Sequence, residues 1–126
     1  MKKINYAEKR IHPRIDLTLP VRIAANGYAF ETTTQNISAA GAYCCIAKYI
    51  PPFTKVAIKM SLPIIQRNKK QDCCVECSGV VVRSEDHVKG GFNIAIFFNQ
   101  IRDTQRKKIA HYIDQFLPQE SLAAAR

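Results

Sequence analysis

The chain has no hydrophobic run long enough to cross a membrane. Such a segment needs about 18–20 consecutive apolar residues, and none occurs among its 126 residues. A secretory signal is missing as well, because the lysines at the start are followed by Ile4-Asn5-Tyr6-Ala7-Glu8, which is too short and too polar for the apolar part of a signal. These absences predict a cytoplasmic protein without a membrane span.

The chain also lacks the short motifs of enzyme active sites. No glycine-rich phosphate loop joins a strand to a helix, and no nucleophile motif appears. The three histidines stand isolated from one another. We therefore predict a protein that is not an enzyme and has neither catalytic residues nor a cofactor.

The five cysteines fit neither a disulfide framework nor a metal site. An odd number of thiols in a cytoplasmic chain is expected to stay reduced. Cys74 and Cys77 form a C-x-x-C pair, but residues three apart on a strand point to opposite faces. Cys73 and Cys77 share a face but lie about 13 Å apart at strand rise. We predict no metal, and cysteines that act as small apolar side chains.

What the sequence has in excess is positive charge. Nineteen Lys and Arg residues against ten Asp and Glu give a net charge of +9, which favours an anionic partner. Two clusters concentrate this charge. The N-terminal cluster comprises Lys2, Lys3, Lys9, Arg10 and Arg14, opposed by Glu8. The C-terminal cluster comprises Arg102, Arg106, Lys107 and Lys108, opposed by Asp103.

The apolar pattern predicts a single domain built from short strands. The predicted strands cover residues 17–25, 28–35, 41–47, 55–62, 72–83 and 91–98, and the polar stretch 66–71 separates two of them. Asn26-Gly27 predicts a type I′ turn that pairs Ala25 with Tyr28 and directs the Tyr28 and Phe30 rings into the core. Six short strands with short connections favour an antiparallel β-barrel, because closure removes exposed strand edges.

A helical pattern follows the strands. Apolar residues recur at i, i+3, i+4, i+7 and i+8, which predicts an amphipathic helix that packs across the barrel. These residues are Ile109, Tyr112, Ile113, Phe116 and Leu117. Asp103 or Thr104 is the predicted cap and Pro118 the predicted stop. The polar side chains predicted to face solvent are Arg106, Lys107 and His111.

Two short motifs resemble the signature of a known family. Arg10-Ile11-His12-Pro13-Arg14 has the form R-x-x-x-R, and Asn36-Ile37-Ser38-Ala39-Ala40-Gly41 has the form [D/N]-x-S-x-x-G, one β-hairpin later. Together they resemble PilZ domains, bacterial receptors for cyclic diguanylate (cyclic di-GMP), and the likeness continues through 79–83, 91–98 and the helix. The resemblance implies a six-stranded antiparallel PilZ-type barrel with a C-terminal helix, which binds the nucleotide on its outer surface.

The resemblance also implies ligand-binding roles for Arg10, Arg14, Asn36, Ser38 and Gly41. The two arginines offer planar forks that match a phosphate or the O6 and N7 edge of guanine. Asn36 and Ser38 add an amide and a hydroxyl, and Gly41 lets backbone and ligand approach closely. In the alternative interpretation, Asn36 to Gly41 is a turn that bonds its own backbone and needs the glycine only for its dihedral angles.

Three further residues are candidates for ligand contacts: Lys9, His12 and Arg83. Lys9 stands where many relatives have another arginine, which leaves open whether one ligand molecule or a stacked pair binds. His12 is either a surface residue or a ring that packs on the ligand. Arg83 lies at the end of the fifth predicted strand, where it either stacks on a base or stays solvated.

We predict three parts for the chain: a flexible basic arm (1–15), the barrel with its helix (16–118) and a frayed tail (119–126). Cyclic di-GMP would order the arm, and an unidentified downstream protein would read the ordered arm. Two other functions remain open. The first is a general nucleic-acid-binding barrel, although the two motifs make nucleic acid an unlikely partner. The second is a PilZ-like interaction module that binds nucleotide weakly or not at all.

Overall fold

The computed structural model describes residues 14–116, which form six β-strands and one α-helix. The elements are β1 (Pro20–Ala25), β2 (Tyr28–Ile37), β3 (Gly41–Ile46), β4 (Lys55–Gln66), β5 (Lys69–Asp86), β6 (Phe92–Gln100) and α1 (Asp103–Asp114). Residues 1–13 of the predicted arm lie outside the described part, as do Leu117, Pro118 and the predicted tail. Within residues 14–116, no helix is both long and apolar enough to span a bilayer.

The strands pair in a closed ring in the order β1-β2-β3-β6-β5-β4, with every pair antiparallel. The first and fourth strands close it, with Val21 opposite Met60 and Ile23 opposite Ile58. Alternate residues therefore point inward, as the buried Val21, Ile23 and Ala25 of β1 do. The predicted six-stranded antiparallel barrel with a C-terminal helix is confirmed.

Apolar side chains fill the interior of the barrel. Every strand contributes to this core, and the helix and the segment before β1 cover it. The largest fully buried side chains are those of Phe98, Leu19, Ile23, Ile37, Ile58, Met60, Leu62, Ile94 and Ile109. In a small barrel the inward-facing residues fill the lumen, and the grooves of this domain lie on the outer wall.

The β1–β2 turn has the predicted conformation but not the predicted burial. Asn26 and Gly27 have φ values of 52° and 83°, as a type I′ turn requires, and Ala25 pairs with Tyr28. Tyr28, however, is 55% exposed, and Phe30 is only partly buried. The prediction that both rings fill the core is wrong for Tyr28, because β2 pairs with β3 only from Thr34 onward, whereas the partly buried Phe30 packs against the core. The start of β2 therefore extends past the core.

The fourth and fifth strands are longer than predicted. The polar stretch 66–71 was expected to be a loop, but β4 and β5 stay paired until Gln66 faces Lys69. The connection is a two-residue turn in which Arg67 and Asn68 have φ values of 51° and 64°. Asn tolerates this left-handed conformation, so a tight turn forms here without glycine.

Helix α1 lies against β5 and β4. Ile109, Tyr112 and Ile113 form its buried face, as predicted. The predicted caps are wrong, because Arg102 occupies the N-cap position and makes no side-chain capping bond. Asp103 instead lies in the first turn, where a carboxylate favours the helix dipole.

The helix differs from the prediction at two further side chains. Phe116 lies past the helical end and is half-exposed, with its ring 5.2 Å from that of Tyr112. Lys107 and His111 are exposed as predicted, but Arg106 is partly buried. Its Nε atom has no hydrogen-bond partner among residues 14–116. The helix therefore turns less of its basic side to solvent than the sequence suggested.

The segment before β1 is tied to β2. Ile15 and Ile37 form an antiparallel bridge through two backbone hydrogen bonds of 3.0 Å, and Ile15 is buried although it belongs to the predicted arm. Thr34 is 1% exposed. Its hydroxyl donates to the Leu17 carbonyl and accepts from the Leu19 amide at 3.0 Å. Residues 15–19 therefore form part of the barrel wall.

We predict that Thr34→Val destabilises the domain by about 1–3 kcal/mol, because it leaves buried backbone groups of Leu17 and Leu19 without their partner. Urea unfolding of the purified protein measures this loss. The matched control is Thr33→Val, since Thr33 is the exposed neighbour on the same strand. Equal losses in the two variants would contradict the role of the Thr34 hydroxyl.

Candidate ligand-binding site

A groove of about 430 Å³ on the outer wall is lined by the described signature residues of both motifs. Its lining includes Arg14, Asn36, Ser38, Gly41 and Arg83. The fold therefore brings together the end of the R-x-x-x-R motif, the N-x-S-x-x-G motif and an arginine of β5. Of the predicted ligand contacts, the other three lie in residues 1–13, outside the described part: Lys9, Arg10 and His12.

The Ile15–Ile37 bridge determines the position of Arg14. Because the bridge is antiparallel, the residue before Ile15 lies across from the residue after Ile37. Arg14 therefore stands across from Ser38, and its side chain is exposed at the groove. One motif supplies the cation, and the other supplies the turn beside it.

Ser38 holds the β2–β3 turn in place. It is buried, and its Oγ accepts hydrogen bonds from the amides of Ala40 at 3.0 Å and Gly41 at 3.2 Å. Its own amide donates to the Gly41 carbonyl at 2.9 Å. A serine hydroxyl has one hydrogen to donate besides what it accepts. The turn therefore uses Ser38 as an acceptor, and its O–H still has one hydrogen to donate.

Gly41 is required by the packing of β3 against β6. It pairs with Phe97, and a Cβ atom at this position would lie 2.2 Å from the carbonyl oxygen of Ile96. Its φ angle is outside the left-handed region, so the turn does not need glycine for its dihedral angles. The close neighbour of this glycine is thus the backbone of the adjacent strand.

Asn36 follows an irregularity in the β2–β3 pairing. The register shifts between Thr34 and Asn36, and Asn36 then pairs with Tyr43. A bulge of this kind bends the strand and changes where the next side chains point. Asn36 is half-buried at the groove, where its amide offers both a donor and an acceptor.

Arg83 is oriented by an aromatic ring and a carboxylate. The centre of its guanidinium lies 5.8 Å from the centre of the Tyr43 ring, and its Nε lies 3.7 Å from Glu85 Oε1. The Tyr43 hydroxyl donates to the same oxygen at 3.5 Å. These contacts hold Arg83 as a second cation at the groove. It lies on β5, whereas Arg14 lies beside β2.

The groove also has lining residues that the motifs do not include, among them Tyr43, Val82 and Phe97. Tyr43 lies two residues after Gly41, so the period of two along a strand could have placed both on one face. Val82 and Phe97 are half-exposed apolar side chains. Their places depend on the register shift between Val81 and Arg83 and on the β3–β6 pairing, which no local pattern encodes.

The family model for the PilZ domain matches residues 8–115. The chain belongs to the PilZ family. The predicted membership is thereby confirmed. PilZ domains are receptor modules and are not a known family of enzymes. No curated protein matches the chain.

The solved structures that resemble this PilZ domain include two of known description. The Bacillus subtilis inhibitor of motility, MotI (DgrA), shares 20% identity at a TM-score of 0.75, over 94% of this chain and 54% of that one. The PilZ domain of Escherichia coli YcgR, solved with cyclic di-GMP, shares 12% identity at a TM-score of 0.58, over 94% of this chain and 98% of that one. The chain thus spans about half the length of MotI, and both likenesses show the shared fold.

The five cysteines of this PilZ domain are free thiols in different environments. Cys74 is exposed, whereas Cys73 and Cys77 pack against the core. Burial raises the pKa of Cys77 to about 11. Burial, with a smaller effect of Cys45, raises the pKa of Cys44 to about 12. Residues 14–116 contain no group of three or more side chains able to hold a metal ion.

We predict that Cys74 reacts fastest with a thiol reagent near neutral pH, and that Cys44 and Cys77 react only slowly. The thiolate is the reactive form, and a raised pKa makes it scarce at neutral pH. Time courses with Ellman's reagent, before and after unfolding in urea, measure this difference. Cys74→Ser should remove the fast phase. A fast phase that Cys77→Ser removes instead would contradict the burial of that thiol.

Proposed function

We propose that this PilZ domain is a receptor for cyclic di-GMP, which binds in the groove between the β2–β3 turn and β6. The observation that carries this proposal is the bridge that places Arg14 across from Ser38 in a groove shared with Arg83. The E. coli YcgR domain, of similar fold, was solved with this nucleotide, which supports the choice of ligand. The chain's own chemistry is recognition and not catalysis.

The groove offers what a cyclic dinucleotide needs. The ligand has two phosphates and two guanines, and each arginine fork matches either a phosphate or a guanine edge. Ser38 supplies a hydroxyl, Asn36 an amide, and Phe97 an apolar surface for a flat base. In this proposal Arg10, four residues before Arg14, adds the second fork of its motif.

We further propose that the receptor works in the cytoplasm and signals to a partner protein through its N-terminal arm. Five free thiols suit a reducing compartment. The N-terminal basic cluster has like charges and few apolar anchors, so the two phosphates would relieve repulsion between neighbouring cations and order the arm over the groove. The partner would then read the ordered arm.

We predict saturable binding of cyclic di-GMP in calorimetry and much weaker binding of GMP, because only the dinucleotide spans both motifs. A micromolar dissociation constant requires about 8 kcal/mol. Four or five charge-assisted contacts of about 1.5–3 kcal/mol each can provide it after ordering costs. Tighter binding of single-stranded RNA, with a steep salt dependence, would favour the nucleic-acid alternative. No binding of either would favour an interaction module.

Matched variants separate the site from general electrostatics. Arg14→Ala and Arg10→Ala should each weaken binding by about 1.5–3 kcal/mol, because each removes an oriented fork. Lys107→Ala removes the same charge from an exposed position on the helix and should have little effect. Similar losses in all three would mean that diffuse charge, and no specific site, holds the nucleotide.

We predict that saturation with cyclic di-GMP slows amide hydrogen exchange in residues 8–14. Ordering costs about 1–2 kcal/mol for each backbone residue, so the ligand can hold only the stretch next to it. The Ile15 amide is already bonded to Ile37 in the described structure, and the Gly41 amide to Ser38, so their exchange should change less. The helix core at 109–113 is the internal control. Arm amides protected without ligand, or unprotected at saturation, would refute the switch.

A further inference from the structure

A second groove lies on another part of the outer wall and is larger than the first. Its volume is about 780 Å³, and it shares no lining residue with the candidate nucleotide groove. It runs between β1, β4, β5 and the start of α1. Ala24 and Ala57 line it and face each other across β1 and β4. Because these exposed side chains are small, they form the bottom of the groove without filling it.

A row of charges crosses this groove from strand to strand. Glu31 pairs with Arg22, Arg22 with Lys59, and Lys59 with Glu76, along β2, β1, β4 and β5. Arg22 Nη1 donates to Glu31 Oε2 at 3.1 Å. The centre of the row is a like-charge pair, because Arg22 and Lys59 stand directly opposite each other. Such pairs are destabilising in a sheet, and the ion pair with Glu31 compensates Arg22 alone, so an anion beside Lys59 would relieve the repulsion.

The start of α1 adds cations on the other side of the groove. Arg102 lines the groove, and neither Arg102 nor Lys59 forms an ion pair with another residue of the described chain. Gln105 Oε1 accepts the Glu76 amide at 3.0 Å, which fixes the helix against β5 at this point. Lys108 follows Gln105 by three residues and so lies on the same side of the helix. Arg102 lines the groove and Lys108 lies on the side of the helix that faces it, so these two members of the C-terminal basic cluster contribute the cations.

We propose that this groove docks an acidic segment of a partner protein. A peptide can space its carboxylates to meet Arg22, Lys59 and Arg102 while keeping clear of Glu76. A nucleic-acid strand carries a charge at every phosphate, and its backbone would meet the carboxylates at both ends of the row. The pattern of cations flanked by Glu31 and Glu76 therefore favours a protein over a nucleic acid. The proposal does not depend on nucleotide binding.

The experiment measures fluorescence anisotropy with the full chain and no nucleotide. The probe is a labelled short peptide of alternating glutamate and serine, compared with the same peptide carrying glutamine for glutamate and with an oligothymidine of equal length. Measurements at about 0.05 and 0.15 M salt test for screening. We expect saturable binding of the acidic peptide that weakens with salt, and weaker binding of both other probes.

Single variants locate the binding. Lys59→Gln and Arg102→Gln should each weaken the acidic peptide about two- to fivefold, the range for exposed ion pairs, and Glu76→Gln should strengthen it. Lys89→Gln is the matched control, because Lys89 is exposed and lies outside the groove. Equal weakening by Lys89→Gln would overturn the proposal, as would equal binding of the glutamine peptide or tighter binding of oligothymidine.

The thiol of Cys74 provides an independent measurement, because Cys74 lines this groove and is exposed. Alkylation by N-ethylmaleimide, assigned to Cys74 by fragment mass spectrometry, should slow severalfold when the acidic peptide saturates the protein. At a peptide concentration near the dissociation constant of the parent protein, Lys59→Gln should partly restore the rate. An unchanged rate at saturation would place the peptide elsewhere and refute docking in this groove.

Discussion

Two backbone hydrogen bonds between Ile15 and Ile37 hold the two halves of the candidate site together. Arg14 precedes the first strand and is not part of the sheet, so the bridge sets it across from Ser38. Thr34 extends the attachment by bonding to Leu17 and Leu19. The bonds join segments about 20 residues apart, and closing the chain between them costs conformational entropy. The burial of Ile15 and Leu19 in the same core offsets that cost. The position of the arginine therefore depends on the folding of the barrel.

The fold was largely predictable because its local signals agree with its pairing. Asn26-Gly27 predicts a type I′ turn, and that turn sets the register of β1 with β2. The same register does not decide burial, as the exposed Tyr28 shows, because burial also depends on where β3 ends. The turn at Arg67-Asn68 was missed for a related reason. Its left-handed residues have no glycine to mark them, and only the pairing of the flanking strands reveals the turn.

The candidate site was predictable where a motif is contiguous and unpredictable where several strands meet. Arg14, Asn36 and Ser38 could be found from the resemblance of two contiguous motifs to PilZ domains, although the motifs could not show what each of them contacts. Phe97 could not be found, because it reaches the groove only through its pairing with Gly41. The charge row from Glu31 to Glu76 is a still clearer case. Its four residues come from four strands, and only the closed ring lines them up.

Ser38 and Gly41 of the β2–β3 turn have a structural role beside their proposed role in ligand binding. This combination has a consequence for how such chains change under selection. Ser38 and Gly41 are needed for folding, since one closes the turn and the other lets β6 approach. Arg14 is exposed and contributes little to the core. In a descendant that no longer binds a nucleotide, selection for stability alone would retain the serine and the glycine, while the arginine would be free to drift. The N-x-S-x-x-G motif would then persist after nucleotide binding is lost. The R-x-x-x-R motif would be the better indicator of a chain that still binds.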